Sequence, residues 1–112
     1  MVKLKSDDPS WELVSNAVKG VYQQWVVKKE GGTVKFLRFD PDVAYPRHQH
    51  ADRTEWLYVV HGEMITEIGD QIHTLKEGEF ATFPLNSQHS LKAGHKGAVV
   101  LVAAINESEK HV

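Results

Sequence analysis

His48-Gln49-His50-Ala51-Asp52-Arg53-Thr54-Glu55 is the stretch on which the reading of this chain turns. In an extended strand, residues i and i+2 point to the same face, so His48 and His50 present two imidazoles side by side. Glu55 lies across a short turn, where the next strand begins. His89 follows from a separate segment. Three imidazoles and one carboxylate are a natural ligand set for a divalent transition metal. A lone His-x-His weighs little, because 7 histidines in 112 residues supply about 0.4 such pairs by chance. The surrounding residues give it weight.

On either side the chain breaks into short strands. Residues 21–27 and 33–39 are rich in β-branched and aromatic side chains, and Glu30-Gly31-Gly32 separates them as a hairpin turn. Asp40-Pro41-Asp42 is a turn. Residues 55–60 read as a strand ended by His61-Gly62, and residues 63–68 as its successor. Gly69-Asp70 is a two-residue hairpin turn, from which residues 71–75 return. Residues 80–83 and 89–91 are short strands around Pro84-Leu85-Asn86. The apolar run 98–105 predicts a strand buried on both faces. Near the start, Trp11, Val14 and Val18 fit helical spacing while Trp11 and Leu13 fit a strand; an extended segment or short turn is expected. The charged tail from Asn106 to Val112 is expected to fray. Turn signals every 8–12 residues or so predict an all-β sandwich or barrel. No repeat or linker interrupts it, so a single domain over residues 1–112, with its core at about 20–105, is expected.

Composition narrows the function classes. Hydrophobic residues make up 41% and charged residues 25%, which is ordinary globular usage and enough for one core. The net charge is −2, and the longest basic run is Lys28-Lys29, so nucleic-acid binding has no electrostatic footprint. No cysteine is present, which excludes disulfides, thiolate zinc sites and cysteine nucleophiles. No apolar run approaches the ~18–20 residues of a membrane-spanning helix, and the N-terminal residues lack the apolar stretch of a signal peptide. A cytoplasmic protein with no membrane partner is the expectation.

With these residues in place, the chain resembles the cupin superfamily. Its first motif is Gly, five residues, His-x-His, three or four residues, Glu, six residues, Gly. This chain has Asp42, five residues, His48-Gln49-His50, four residues, Glu55, six residues, Gly62. The second motif is Gly, five residues, Pro-x-Gly, two residues, His, three residues, Asn. Here it is Gly78, five residues, Pro84-Leu85-Asn86, two residues, His89, three residues, Ala93. Asp42 and Asn86 replace turn glycines, and Asp and Asn are the other residues that tolerate a left-handed backbone. Ala93 replaces the usual Asn. The resemblance implies an antiparallel jelly-roll β-barrel, with metal held by His48, His50, Glu55 and His89. Finer likenesses diverge. Trp11, Gly20-Val21, residues 34–39 and Pro46-Arg47-His48 resemble cupins of anti-sigma factors and acetylacetone-dioxygenase-like enzymes. The stretch from His48 to Leu91 resembles the cupin half of mannose-phosphate isomerases.

The ligand set accepts Mn, Fe, Ni, Co, Cu or Zn and leaves open which. Open coordination positions would admit a small-molecule substrate, and resemblance to oxygenase cupins gives Glu55 a second role as a catalytic base. If Glu55 faces inward, so do Leu57 and Val59, while Trp56, Tyr58 and Val60 face the other way. Ala81 and Phe83 share one face. A mostly apolar lining is therefore expected, with no obvious Arg/Lys cluster, although Arg38, Arg47 and Arg53 remain candidates for the mouth. A metalloenzyme with dioxygenase-type chemistry stands ahead of a sugar-phosphate-isomerase-like enzyme, and a non-catalytic binding or sensing module is the alternative. The resemblance and the outward Trp56 and Tyr58 favour a homodimer. His61, His73, His95 and His111 are expected in turn, exposed strand, loop and tail.

Overall fold

The computed structural model describes residues 11–107, and every regular element among them is a β-strand. In chain order these are β1 (Glu12–Ser15), β2 (Val18–Lys28), β3 (Gly32–Phe39), β4 (Ala44–His48), β5 (Arg53–Ile68), β6 (Gln71–Leu75), β7 (Phe80–Phe83) and β8 (His89–Asn106). All pairings are antiparallel. The ambiguous start is extended, as expected. The Gly69-Asp70 turn joins Ile68 to Gln71 in register, and the Lys29–Gly32 hairpin is closed by backbone hydrogen bonds in both directions.

β5 and β8 organise the barrel. They pair with each other from Arg53↔Asn106 to Ile68↔His89. The first part of β5 also carries β7, and its second part carries β6. The second part of β8 carries β3, and its first part carries β4. One layer therefore runs β1-β2-β3-β8-β5-β7 and the other β4-β8-β5-β6, with both long strands belonging to each. This is an antiparallel jelly-roll β-barrel.

The long strands correct the expected breaks. His61-Gly62 does not end a strand, and residues 89–91 and 98–105 are not separate strands. β5 passes from one layer to the other through register shifts between Val59 and His61 and between Gly62 and Met64. Bulges bend a strand without ending it. Gly62 (φ +81°) and Gly97 (φ +78°) hold left-handed backbone at this corner. The strands cross so closely that a Cβ on Gly62 would overlap the Gly97 carbonyl oxygen. His95, expected in a loop, lies in β8 and pairs with Asp42 Oδ1 at 2.8 Å.

The core sits between the layers and follows the period-2 rule. Leu57, Val59, Phe83, Leu37 and Phe39 are buried, while Tyr58 and Val60 are exposed. Along β8, Ala98, Val100, Val102 and Ala104 are buried, but Val99, Leu101 and Ala103 are only half-buried and Ile105 is 52% exposed. The expectation of burial on both faces was therefore wrong, because no third layer covers the outer side of β8.

The two motif departures sit as their residue types allow. Asp42 has φ 63° and Asn86 φ 61°. Asn86 donates its backbone N–H to the His50 carbonyl at 2.8 Å, tying the second motif to the first. Of the expected fraying tail, Asn106 ends β8 with its N–H on the Gly31 carbonyl; His111 and the residues from 108 onward lie outside the described residues. Among the described residues no helix is long and apolar enough to cross a membrane.

Candidate metal centre

The expected ligands come from three strands and the segment joining two of them. His48 ends β4, His50 follows it, Glu55 lies near the start of β5, and His89 begins β8. His48 and His89 are paired across β4 and β8. Glu55 pairs with Phe83, whose ring stacks on His89 with centroids 4.3 Å apart. One candidate donor atom from each of the four ligands lies within 4.8 Å of all the others. His50 Nε2 and His89 Nε2 stand 3.6 and 3.7 Å from Glu55 Oε1.

The surroundings orient the rings for coordination. His48 Nδ1 is 2.9 Å from the Pro46 carbonyl oxygen, and His89 Nδ1 is 3.1 Å from that of Ser87. A carbonyl only accepts, so each Nδ1 carries a proton, and in the neutral ring it is then Nε2 that offers the lone pair. This is the arrangement in which a ligating histidine donates its other N–H to a backbone acceptor. Donors bonded about 2.1 Å from one ion stand roughly 3.0–4.2 Å apart, so the group needs little contraction to fit. Its mixed imidazole and carboxylate donors suit a divalent transition metal.

Electrostatics bears on His50 and Glu55. Burial of His50 disfavours its charged form and holds its pKa below the ordinary 6.5, with Glu55 opposing. Burial pushes the Glu55 carboxyl up, but its neighbours His89 and His50, in their protonated forms, and Arg53 together outweigh it and leave the pKa below the ordinary 4.5 in the metal-free site. Neutral imidazoles beside a carboxylate are the forms that bind metal.

The four residues line a cavity of about 200 Å³ that opens to solvent, smaller than the ~300–1,000 Å³ of ordinary ligand pockets. Leu37, Leu57, Phe83, Leu91 and Val102 supply the expected apolar wall. Two cations also line it, Lys35 and Arg53, beside the expected mostly apolar wall. Arg53 was a candidate for the mouth; Lys35 was missed. The signal was present in the sequence: Lys35 shares the parity of Leu37 and Phe39, whose side chains face the core. Arg47 instead braces the β5–β6 turn, pairing with Glu67 and donating to the Gly69 carbonyl at 3.2 Å. Arg38 stacks over the rings of Trp11 and Tyr22. His61 pairs with Glu77 at 3.1 Å, and His73 is exposed on β6 beside Gln71. None of these joins the cluster.

The Cupin domain family matches residues 35–105. No curated protein matches the sequence significantly. Among solved structures, KdgF from Halomonas sp. aligns with a TM-score of 0.79 at 20% identity, over 88% of this chain and 87% of that one. An RmlC-like cupin from Shewanella frigidimarina aligns at 0.75 and 19% identity, over 89% and 85%. An oxalate decarboxylase variant from Bacillus subtilis aligns at 0.71 and 26% identity, over 82% of this chain but only 27% of that one.

Proposed function

Because this chain belongs to the cupin family, we propose that His48, His50, Glu55 and His89 hold one divalent transition-metal ion, at which the protein transforms a small organic molecule. The carrying observation is the convergence of four donor atoms, two of them on imidazoles pre-oriented by backbone carbonyls, at the wall of an open cavity. Such an ion supplies a Lewis acid with open positions for a substrate oxygen. The chain's own residues supply the rest. Leu37, Leu57, Phe83 and Val102 keep much of the wall dry, which strengthens electrostatic interactions inside. Glu55 is held in its ionised form and, released from the ion, would accept a proton from substrate. A dry wall beside a carboxylate base suits dioxygenase-type chemistry on an enolisable molecule.

The test uses the cobalt form. Azide should perturb its visible spectrum, because an exchangeable position accepts it. For a substrate found by screening, Glu55→Gln should lower turnover about 100-fold or more at matched metal content, the usual scale for a lost general base. Full metal occupancy with a spectrum inert to every small ligand would instead identify a non-catalytic module with a closed metal site.

A two-fold homodimer belongs to the same proposal. The β registers align Phe80, Tyr58, Leu101 and Phe36 in one row across the outer face of the sheet. Phe80 is 65% and Tyr58 43% exposed, and Trp56, Ala103 and Val34 form the adjoining row. A two-fold axis would bury this apolar face against its own copy. Light scattering should report twice the chain mass of 12.7 kDa; Tyr58→Glu should return the monomer. A monomer at every practical concentration would refute the dimer.

A further inference from the structure

The cavity holds a charge that the metal centre does not explain. Lys35 lies on β3 with its neighbours Leu37 and Phe39 buried in the core, and it lines the cavity with the four candidate ligands. Its ammonium donates to Gln23 Oε1 at 3.0 Å and stands 4.8 Å from the centroid of the Trp25 ring. Among the described residues, no carboxylate lies within ion-pair distance of it. Arg53, the other cation of the wall, is already engaged by Asp52, with Nε 3.0 Å from Oδ1 and Nη2 3.3 Å from Oδ2.

A half-buried ammonium whose partners among the described residues are an amide oxygen and a ring face loses hydration without gaining a counter-ion there. Glu55 is the acidic group whose charge reaches Lys35 most strongly, but in the loaded site that charge is committed to the ion. A divalent cation would make the imbalance larger: the cavity would then hold the ion, Lys35 and Arg53 against Glu55 and the outlying Asp52. An anionic ligand restores balance. The small cavity limits it to a few heavy atoms, and the apolar wall disfavours a polyphosphate.

We propose that the substrate or ligand is a small organic acid, with one oxygen on the metal and a carboxylate paired with the Lys35 ammonium. Gln23 and Trp25 position that ammonium, and Lys35 serves as a specificity residue. The proposal rests on the metal-site reading, so the experiment measures metal first.

Cobalt content per chain is determined for the wild type, Lys35→Met and Lys35→Arg, with thermal unfolding as a check on folding. Oxalate, malonate and succinate are then titrated against each loaded protein, with imidazole as a neutral metal ligand. Metal content should be equal in all three. At least one dicarboxylate should bind the wild type, lose tenfold or more in affinity in Lys35→Met, and recover most of it in Lys35→Arg. Imidazole affinity should be unchanged throughout. Added sodium chloride should weaken the dicarboxylate more than imidazole, because salt screens the ion pair. Equal dicarboxylate affinity in wild type and Lys35→Met overturns the proposal. So does a wild type that binds imidazole but no dicarboxylate. A protein that takes up no cobalt overturns the metal reading itself, a failure recognised before any ligand is added. If Lys35→Met proves unfolded, Lys35→Gln replaces it under the same criteria.

Discussion

If His89 is a ligand, His89→Ala should lower metal affinity by at least ~100-fold, beyond the ~10–100-fold usual for a lost outer partner of a ligand, while His73→Ala should leave it unchanged. His89 is 3% exposed, stacked on Phe83, and fixed through Nδ1 to the Ser87 carbonyl. Its removal deletes a pre-oriented donor, and water cannot restore that orientation. His73 is an exposed residue of β6 outside the cluster. Competition titration with a metal-sensitive dye reads both variants; equal losses would contradict the assignment. The wild-type affinity should also fall between about pH 7 and pH 5, because protons compete for ligating imidazoles. His50 resists this competition better than a free imidazole would, since burial holds its pKa below 6.5. In the metal-free protein the sign is the same. The unfolded chain protonates His50 first, so the stability this residue contributes is complete above about pH 6.5. That stability is lost as pH falls through the lower folded value. A metal affinity flat across this range would be inconsistent with imidazole ligation.

Gly62→Ala should be the most destabilising glycine substitution in the barrel corner. A side chain at φ +81° costs about 1–2 kcal/mol by itself. Here the new Cβ would also overlap the Gly97 carbonyl oxygen. Gly97 cannot retreat freely, because a Cβ built on it would lie 2.7 Å from the Phe39 carbonyl oxygen. Three strands are thus stacked backbone to backbone, and a total loss above ~3 kcal/mol follows. For a domain of this size that corresponds to a fall in Tm of about 12 °C or more. Gly69→Ala is the control. Its φ is +60° but nothing lies within 4 Å of the added carbon, so only the conformational cost remains. Thermal unfolding distinguishes them; similar losses would mean that the corner relaxes around the methyl group.

The clustering of His48, His50, Glu55 and His89 was legible because metal chemistry restricts residue type and the period of a strand restricts spacing. Asp42 and Asn86 were legible for a related reason: few side chains accept a positive φ, and both were recognised as stand-ins for glycine. Strands β6 and β7 were bounded by clear turns. The long strands were not legible, because His61-Gly62 and Gly94–Gly97 look locally like turns. Only the partner strand across the corner shows that each is a bend within continuous pairing, and pairing is not written in a local window. Lys35 stands apart from any cluster of charges, so only its strand parity with Leu37 and Phe39 marks it as a lining residue.

The shared strand β8 has a consequence for how the molecule assembles. It is the final strand in chain order, yet it pairs with β3, β4 and β5. Neither layer is complete without it. Contacts this distant in sequence make for slow folding. The candidate ligands on β4, the following segment, β5 and β8 become neighbours only when β8 pairs. A metal ion would then act late, as a latch that slows reopening more than it speeds closure.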